Sequence, residues 1–172
     1  SGVTLSSTTL EISGLRGVET ITIPSGRPLS DIVTAVNRLT ALTGVQASLI
    51  NGNANSGIVF NTEHFGSSEF VSVRRLQGPA GAASSWQTYK LQDTAAYPGG
   101  TPFPWVALLG AGTLISADRD TGRDVQALVN GTLASGRGLE LSVNGSALGL
   151  QLTLDQTFAT DPTAGVSSFY VT

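Results

Sequence analysis

Leu29-Ser30-Asp31-Ile32-Val33-Thr34-Ala35-Val36-Asn37-Arg38-Leu39-Thr40-Ala41-Leu42-Thr43-Gly44-Val45-Gln46-Ala47-Ser48-Leu49-Ile50 is the stretch that decides the fold. Leu29, Ile32, Val33, Val36, Leu39 and Leu42 recur at spacings of three and four, which puts them on one stripe of a helix built for burial against a sheet. Ser30 is placed to cap the helix, Asp31 favours its positive end, and Gly44 can close it in the left-handed conformation. After Gly44 the helical period stops and Val45 to Ile50 reads as a strand. The spacing therefore predicts one amphipathic helix over about 30–43, packed on a sheet.

Strands flank this unit on both sides. Upstream, Thr9 to Ile12 and Glu19 to Ile23 alternate polar and apolar residues, with Gly14 and Gly17 between them as a hairpin connection. Pro24, Gly26 and Pro28 then break the pattern. Downstream, Asn51 to Gly57 is turn chemistry, and Ile58 to Phe60 and Phe70 to Val73 are short strands. Residues 1–76 thus read as a ββαβββ unit. Residues 77–118 are rich in Gly, Ala and Pro and read as an insertion with loops, containing one candidate strand at Gln87 to Gln92 and an irregular run from Pro98 to Pro104. In 119–172, Val125 to Val129 reads as a strand; Leu139, Leu141 and Val143, then Leu148, Leu150, Leu152 and Leu154, alternate around an Asn144-Gly145-Ser146 turn; Phe169 to Val171 looks like a final strand. The expected class is α+β, mostly β, with antiparallel sheets and hairpins. The two outer segments are expected to pack as one domain or as two small subdomains.

Composition narrows the function. Charged residues make up 12 % of the chain, about half the usual share, and the net charge is −3. The arginines are scattered (Arg16, Arg38, Arg74, Arg123, Arg137), so the concentrated basic stripe that nucleic-acid binding needs is missing. Without Cys there is neither a disulfide framework nor a thiolate metal site. The longest apolar run, Val106 to Leu109, is far shorter than the roughly 20 residues of a membrane span. The chain opens on Ser1-Gly2 rather than Met and reads as a fragment of a longer protein.

Candidate chemistry is sparse. His64 is the single histidine, with no nucleophile motif to accompany it, and its neighbours Glu63 and Glu69 match no metal-ligand spacing. Asp118 to Asp124 has the outline of a calcium loop, but Gly122 stands where an oxygen ligand is needed and two arginines neutralise the run, which reads better as a solvated turn. Gly110-Ala111-Gly112 lacks the third glycine of a dinucleotide fingerprint, since Ile115 stands there. Asn130-Gly131-Thr132 and Asn144-Gly145-Ser146 fit an N-glycosylation pattern and serve equally well as hairpin turns. Trp86, Tyr89, Tyr97, Phe103 and Trp105 form either a satellite core under loops or a carbohydrate-binding platform; Trp86 and Trp105 are the candidate surface-binding aromatics. No catalytic, cofactor or metal residue is assigned.

Leu10 to Arg74 resembles the flagellin hook IN motif. The carriers are Leu29 to Asn37, then Thr43-Gly44-Val45-Gln46-Ala47-Ser48-Leu49, then Thr62 to Val73 with Gly66-Ser67-Ser68-Glu69-Phe70-Val71-Ser72-Val73 as the closure. Val36 replaces the usual Ile before Asn37. Asp120 through Phe158 resembles the segment that leads back to the filament core in some long flagellins, with Ala134-Ser135-Gly136-Arg137-Gly138 at a characteristic loop. The resemblance implies a non-enzymatic structural role as a surface-exposed outer domain of the bacterial flagellar filament, extracellular and without cofactor. It also implies assembly with other flagellin subunits through sequence outside this chain, because no long heptad segment is present. The chain alone would then be monomeric, with no nucleic-acid or membrane partner, and its exterior could meet a host surface or glycan. The flagellar cap protein (hook-associated protein 2) carries the same motif and is the alternative; a carbohydrate-binding adhesin module is the other.

Overall fold

The alternation near the start of the chain folds into a hairpin. In the computed structural model, which describes residues 4, 6–78, 86–93, 95–129, 131–145 and 149–160, β1 (Thr8–Gly14) pairs antiparallel with β2 (Gly17–Ile23). The Gly14↔Gly17 pair closes it, as the two glycines predict. Every second residue of β1 is buried. Gly14 is also a close-approach point, since a Cβ there would overlap the Thr43 carbonyl oxygen.

The predicted helix is realised in two segments, α1 (Leu29–Asn37) and α2 (Thr40–Thr43). Leu39 sits between them in the bridge region, and its N–H bonds Val36 O at 2.8 Å rather than continuing the α pattern. Ile32 and Val36 are fully buried, as the stripe requires, and Leu29 and Val33 pack beside them. The break rotates the final turn, so Thr43 faces the interior at 0 % exposure and Leu42, expected in the stripe, is 54 % exposed. Thr43 is satisfied there: its hydroxyl donates to Leu39 O at 3.0 Å and accepts from Val45 N at 3.1 Å. The N-cap position is Pro28, not Ser30, and no side chain caps it; Pro fits because its missing N–H would be unsatisfied anyway. Gly44 closes α2 at φ 79, the left-handed geometry foreseen for it.

β3 (Val45–Leu49) and β4 (Ile58–Thr62) form a hairpin, and β5 (Phe70–Gln77) returns beside β1. The order strand, strand, helix, strand, strand, strand is as predicted. The main core lies between α1 and this frame: Leu10, Ile12, Ile23, Ile32, Val36, Val45, Ala47 and Val73.

The next stretch contains β6 (Tyr89–Leu91), inside the strand predicted at 87–92, then a short helix α3 (Trp105–Gly110) that sequence periodicity did not signal, and β7 (Leu114–Ser116), which pairs with β6. Pro98 to Pro104 is irregular, as expected. The run read as a solvated turn is corrected in part. Most of its residues are exposed, with Gly122 and Asp124 half-buried, but Arg119–Thr121 is a strand, β8, paired with β5 at the edge of the four-stranded sheet β2-β1-β5-β8.

In the last stretch only β9 (Leu128–Val129) is strand within the predicted 125–129, and it pairs with β10 (Thr132–Leu133). Val125 instead donates its N–H to Gly138 O at 3.0 Å. The Val129↔Thr132 pair is the last of this hairpin; Asn130, of the predicted Asn130-Gly131 turn, lies outside the described residues. β11 (Ser135–Arg137), β12 (Glu140–Asn144) and β13 (Gly149–Thr153) form a meander, so the segment expected as a loop at 134–138 is largely strand. The predicted hairpin around 144–146 is present, with Asn144↔Gly149 as its last pair; Ser146 and Leu148 lie outside the described residues, as does the expected strand at 169–171. A short helix, α4 (Gln156–Thr160), comes next, with the Asp155 carboxylate accepting from Thr157 N at 2.9 Å. Among the described residues no helix is long and apolar enough to cross a membrane.

Candidate functional site

Asn37 falls outside the apolar stripe and reads as a surface position, yet the structure gives it a structural task. At the end of α1 its amide Nδ2 donates to Ala47 O at 3.0 Å and its Oδ1 accepts from Ala47 N at 2.7 Å. A carboxamide has one donor face and one acceptor, so it can mimic the backbone edge of a strand. Here it stands where a further strand would pair with β3, and it satisfies both backbone groups of a buried residue. Thr40 adds a second tie, its hydroxyl donating to Val45 O at 2.8 Å.

His64 is exposed. Its Nε2 lies 3.1 Å from Arg16 Nη2, and Arg16 Nη1 pairs with Glu63 Oε2 at 2.5 Å. Arg is always a donor, so His64 Nε2 is the acceptor in that bond. The group fastens the β1–β2 turn to the end of β4. Among the described residues no group of three or more His, Cys, Asp or Glu is placed to hold a metal ion.

Four of the five aromatics divide into two sets. Trp86 packs against the main core, edge-on to Phe60 with centroids 6.2 Å apart. Trp105 forms a separate cluster with Phe103 at 4.8 Å and Tyr89 at 5.8 Å. Phe103 is buried, and Tyr97 is 54 % exposed. Ser56, which no sequence pattern singled out, anchors this cluster: its carbonyl accepts from Trp105 Nε1 at 2.8 Å and its hydroxyl from Phe103 N at 3.3 Å. Between β4–β5 and the β6–β7 ladder lies a cleft of about 500 Å³ bordered by Trp86, Tyr89, Trp105 and Tyr97, with Lys90, Asp118 and Asp120 also in its lining. Partial burial pushes the Tyr97 phenol up from its ordinary range.

A joint lies where the β4–β5 connection meets the β11–β12 turn. The Asp124 carboxylate accepts from the Ser67 hydroxyl at 2.5 Å, from Gly138 N at 2.7 Å and from Ser67 N at 3.0 Å. The Ser67 hydroxyl bond, then the Gly138 and Ser67 backbone bonds, hold this carboxyl below the usual aspartate range. The backbones meet without side chains between them: a Cβ at Gly122 would overlap Gly66 O, and one at Gly136 would overlap Val125 O. The sequence offers only a weak signal for this joint, the glycines that flank Asp124 in two separate stretches.

Comparison with curated proteins and with solved structures finds no match. Residues 9–63, the span from β1 through the end of β4 that contains α1 and the Asn37–Ala47 pairing, match the family model described as the flagellin hook IN motif, and in that span the chain is similar to flagellin.

Proposed function

We propose that this chain is a structural, surface-exposed piece of a flagellin, the subunit of the bacterial flagellar filament, with no catalytic centre of its own. The observation that supports this reading best is the coincidence of motif and core. Seven of the eight buried residues of the main core, all but Val73, lie within the matched span 9–63. The motif is therefore a folded unit rather than a chance string. In this reading the unit at 1–76 is the flagellin-like frame, 77–118 is an insertion into it, and 119–172 leads back toward the filament. Partner subunits are met through sequence outside these residues, so the chain alone stays monomeric under conditions that polymerise whole flagellin. Its place is outside the cell, on the filament, where it shapes the exterior.

Immunogold microscopy with antibody raised against this chain tests the assignment. Gold along the full length of filaments is the expected result. Gold confined to filament tips would assign the chain to the cap protein instead, and bare filaments would overturn a flagellar role.

A further inference from the structure

We propose that the cleft between β4–β5 and the β6–β7 ladder is a binding site for one pyranose ring of a neutral glycan. Its volume of about 500 Å³ suits a ligand of that size. Its aromatic side is fixed in advance. Trp105 is held by its indole bond to Ser56 O, its ring lies close against Gly57, and Tyr89 and Phe103 pack on it. A rigid indole offers an apolar surface to the C–H face of a sugar at little cost in side-chain entropy.

The lining also carries hydrogen-bonding groups suited to hydroxyls. Asp118 and Asp120 alternate along β8 and its approach, and Lys90 Nζ lies 4.0 Å from Asp120 Oδ1. Asp118 Oδ1 takes one bond, from the Thr88 hydroxyl at 2.5 Å, and leaves the rest of its acceptor capacity open. Acceptor carboxylates beside a donor ammonium match a vicinal diol, in which each hydroxyl both donates and accepts.

Charge decides among ligand classes. The charged lining is one ammonium and two carboxylates, so an anion meets net repulsion. A wholly apolar ligand would desolvate these groups without pairing them, which is costly. A neutral polyol with one apolar face satisfies both sides.

Tryptophan emission is the readout, since Trp86 and Trp105 are the only tryptophans and both line the cleft. The probes are the methyl glycosides of glucose, galactose, mannose and N-acetylglucosamine, with methyl glucuronide as the anionic comparison. At least one neutral glycoside is expected to shift emission saturably, with a Kd on the order of 1 mM, and to bind more tightly than the glucuronide. Asp118→Ala and Lys90→Ala, both at the polar side, are expected to weaken binding about tenfold each while leaving the thermal midpoint unchanged. No saturable shift with any neutral glycoside up to about 100 mM would overturn the proposal. So would binding of the uncharged apolar dye Nile red with no glycoside response, or glycoside binding indifferent to both substitutions.

Discussion

Strand β1 and strand β13 carry the same alternation of apolar and polar residues, yet Leu10 and Ile12 of β1 are fully buried while Leu150 and Leu152 of β13 stay half-buried. The difference lies in what covers them. β1 is flanked by β2 and β5, and α1 closes over its apolar face. β13 is the edge of a three-stranded sheet, and among the described residues the second core holds Val129, Ala134 and Leu141 as its buried members. On the neighbouring hairpin, the cross-strand pair Leu128 and Leu133 is exposed at 69 % and 67 %, so that ladder adds little apolar burial. Alternation names the face that can be buried; a second layer decides how much of it is. Among the described residues, the larger buried apolar core accordingly lies in the frame at 8–77.

The sharpest way to break that comparison is at α1. Ile32→Ala removes fully buried methyl groups and leaves a cavity, an expected loss of about 2–5 kcal/mol, whereas Thr34→Ala on the exposed face should stay within about 0.5 kcal/mol. Urea melts followed by tryptophan emission compare the two, and equal midpoints would contradict the burial of this face. The next largest effect is at Asn37. Asn37→Ala leaves the Ala47 N–H and C=O without their partner, an expected loss of about 1–3 kcal/mol despite the residue's exposed position. Asn37→Asp should not rescue it, because a carboxylate cannot donate to Ala47 O. A melt of the Asp variant matching the parent chain would refute the strand-mimic role.

How far the sequence reveals this architecture depends on the kind of signal each element carries. The ββαβββ order is legible because period-2 and period-3.6 patterns succeed one another with glycines between them. The break between α1 and α2 is not, since neither Gly nor Pro marks Arg38-Leu39 and the rotation that buries Thr43 in place of Leu42 comes from tertiary packing. Asn37 reads as surface because its partner lies ten residues away on another element. β8 has no apolar alternation at all. Arg119-Asp120-Thr121 becomes a strand because the edge of β5 at Phe70 to Ser72 is open for pairing, and charged side chains suit an exposed edge. Arg119 gains a further contact there, its guanidinium carbon 3.6 Å from the centre of the Phe70 ring. The candidate aromatics are visible by type; that Trp86 joins the main core and Trp105 a separate cluster depends on Ser56 and Phe60, which only the fold brings near them.

A smaller effect is expected in the second core. Leu152 is half-buried before substitution, so Leu152→Ala should cost about 1 kcal/mol or less, below the Ile32→Ala loss. Hydrogen exchange sharpens the same point without mutation: amides of β12 and β13 should exchange by openings of lower free energy than those of β1 and β5. Equal protection in both sheets would mean that the two cores unfold as one cooperative unit.

The smallest effect concerns the joint that links the two regions, where the Asp124 carboxylate takes bonds from the Ser67 hydroxyl, Gly138 N and Ser67 N. The Ser67 hydroxyl bond is the largest cause of its lowered pKa, followed by the two backbone bonds. A carboxyl whose folded pKa lies below its unfolded value stabilises the folded state fully above the unfolded value. That contribution is lost as pH falls from about 4 through the lowered folded value, where both states become protonated. Acid should therefore loosen the β11–β12 turn from the β4–β5 connection before it affects the main core. The amide resonances of Ser67 and Gly138, followed by nuclear magnetic resonance from pH 7 downward, report the carboxylate directly. They are expected to shift together with a common midpoint below the ordinary aspartate value. Asn at position 124 retains a carbonyl acceptor but has no proton to gain, so in Asp124→Asn the shared shift should vanish while the β1 and β5 resonances keep their pH dependence. A common midpoint at or above the ordinary value, or a shift that survives in Asp124→Asn, would show that another group governs the joint.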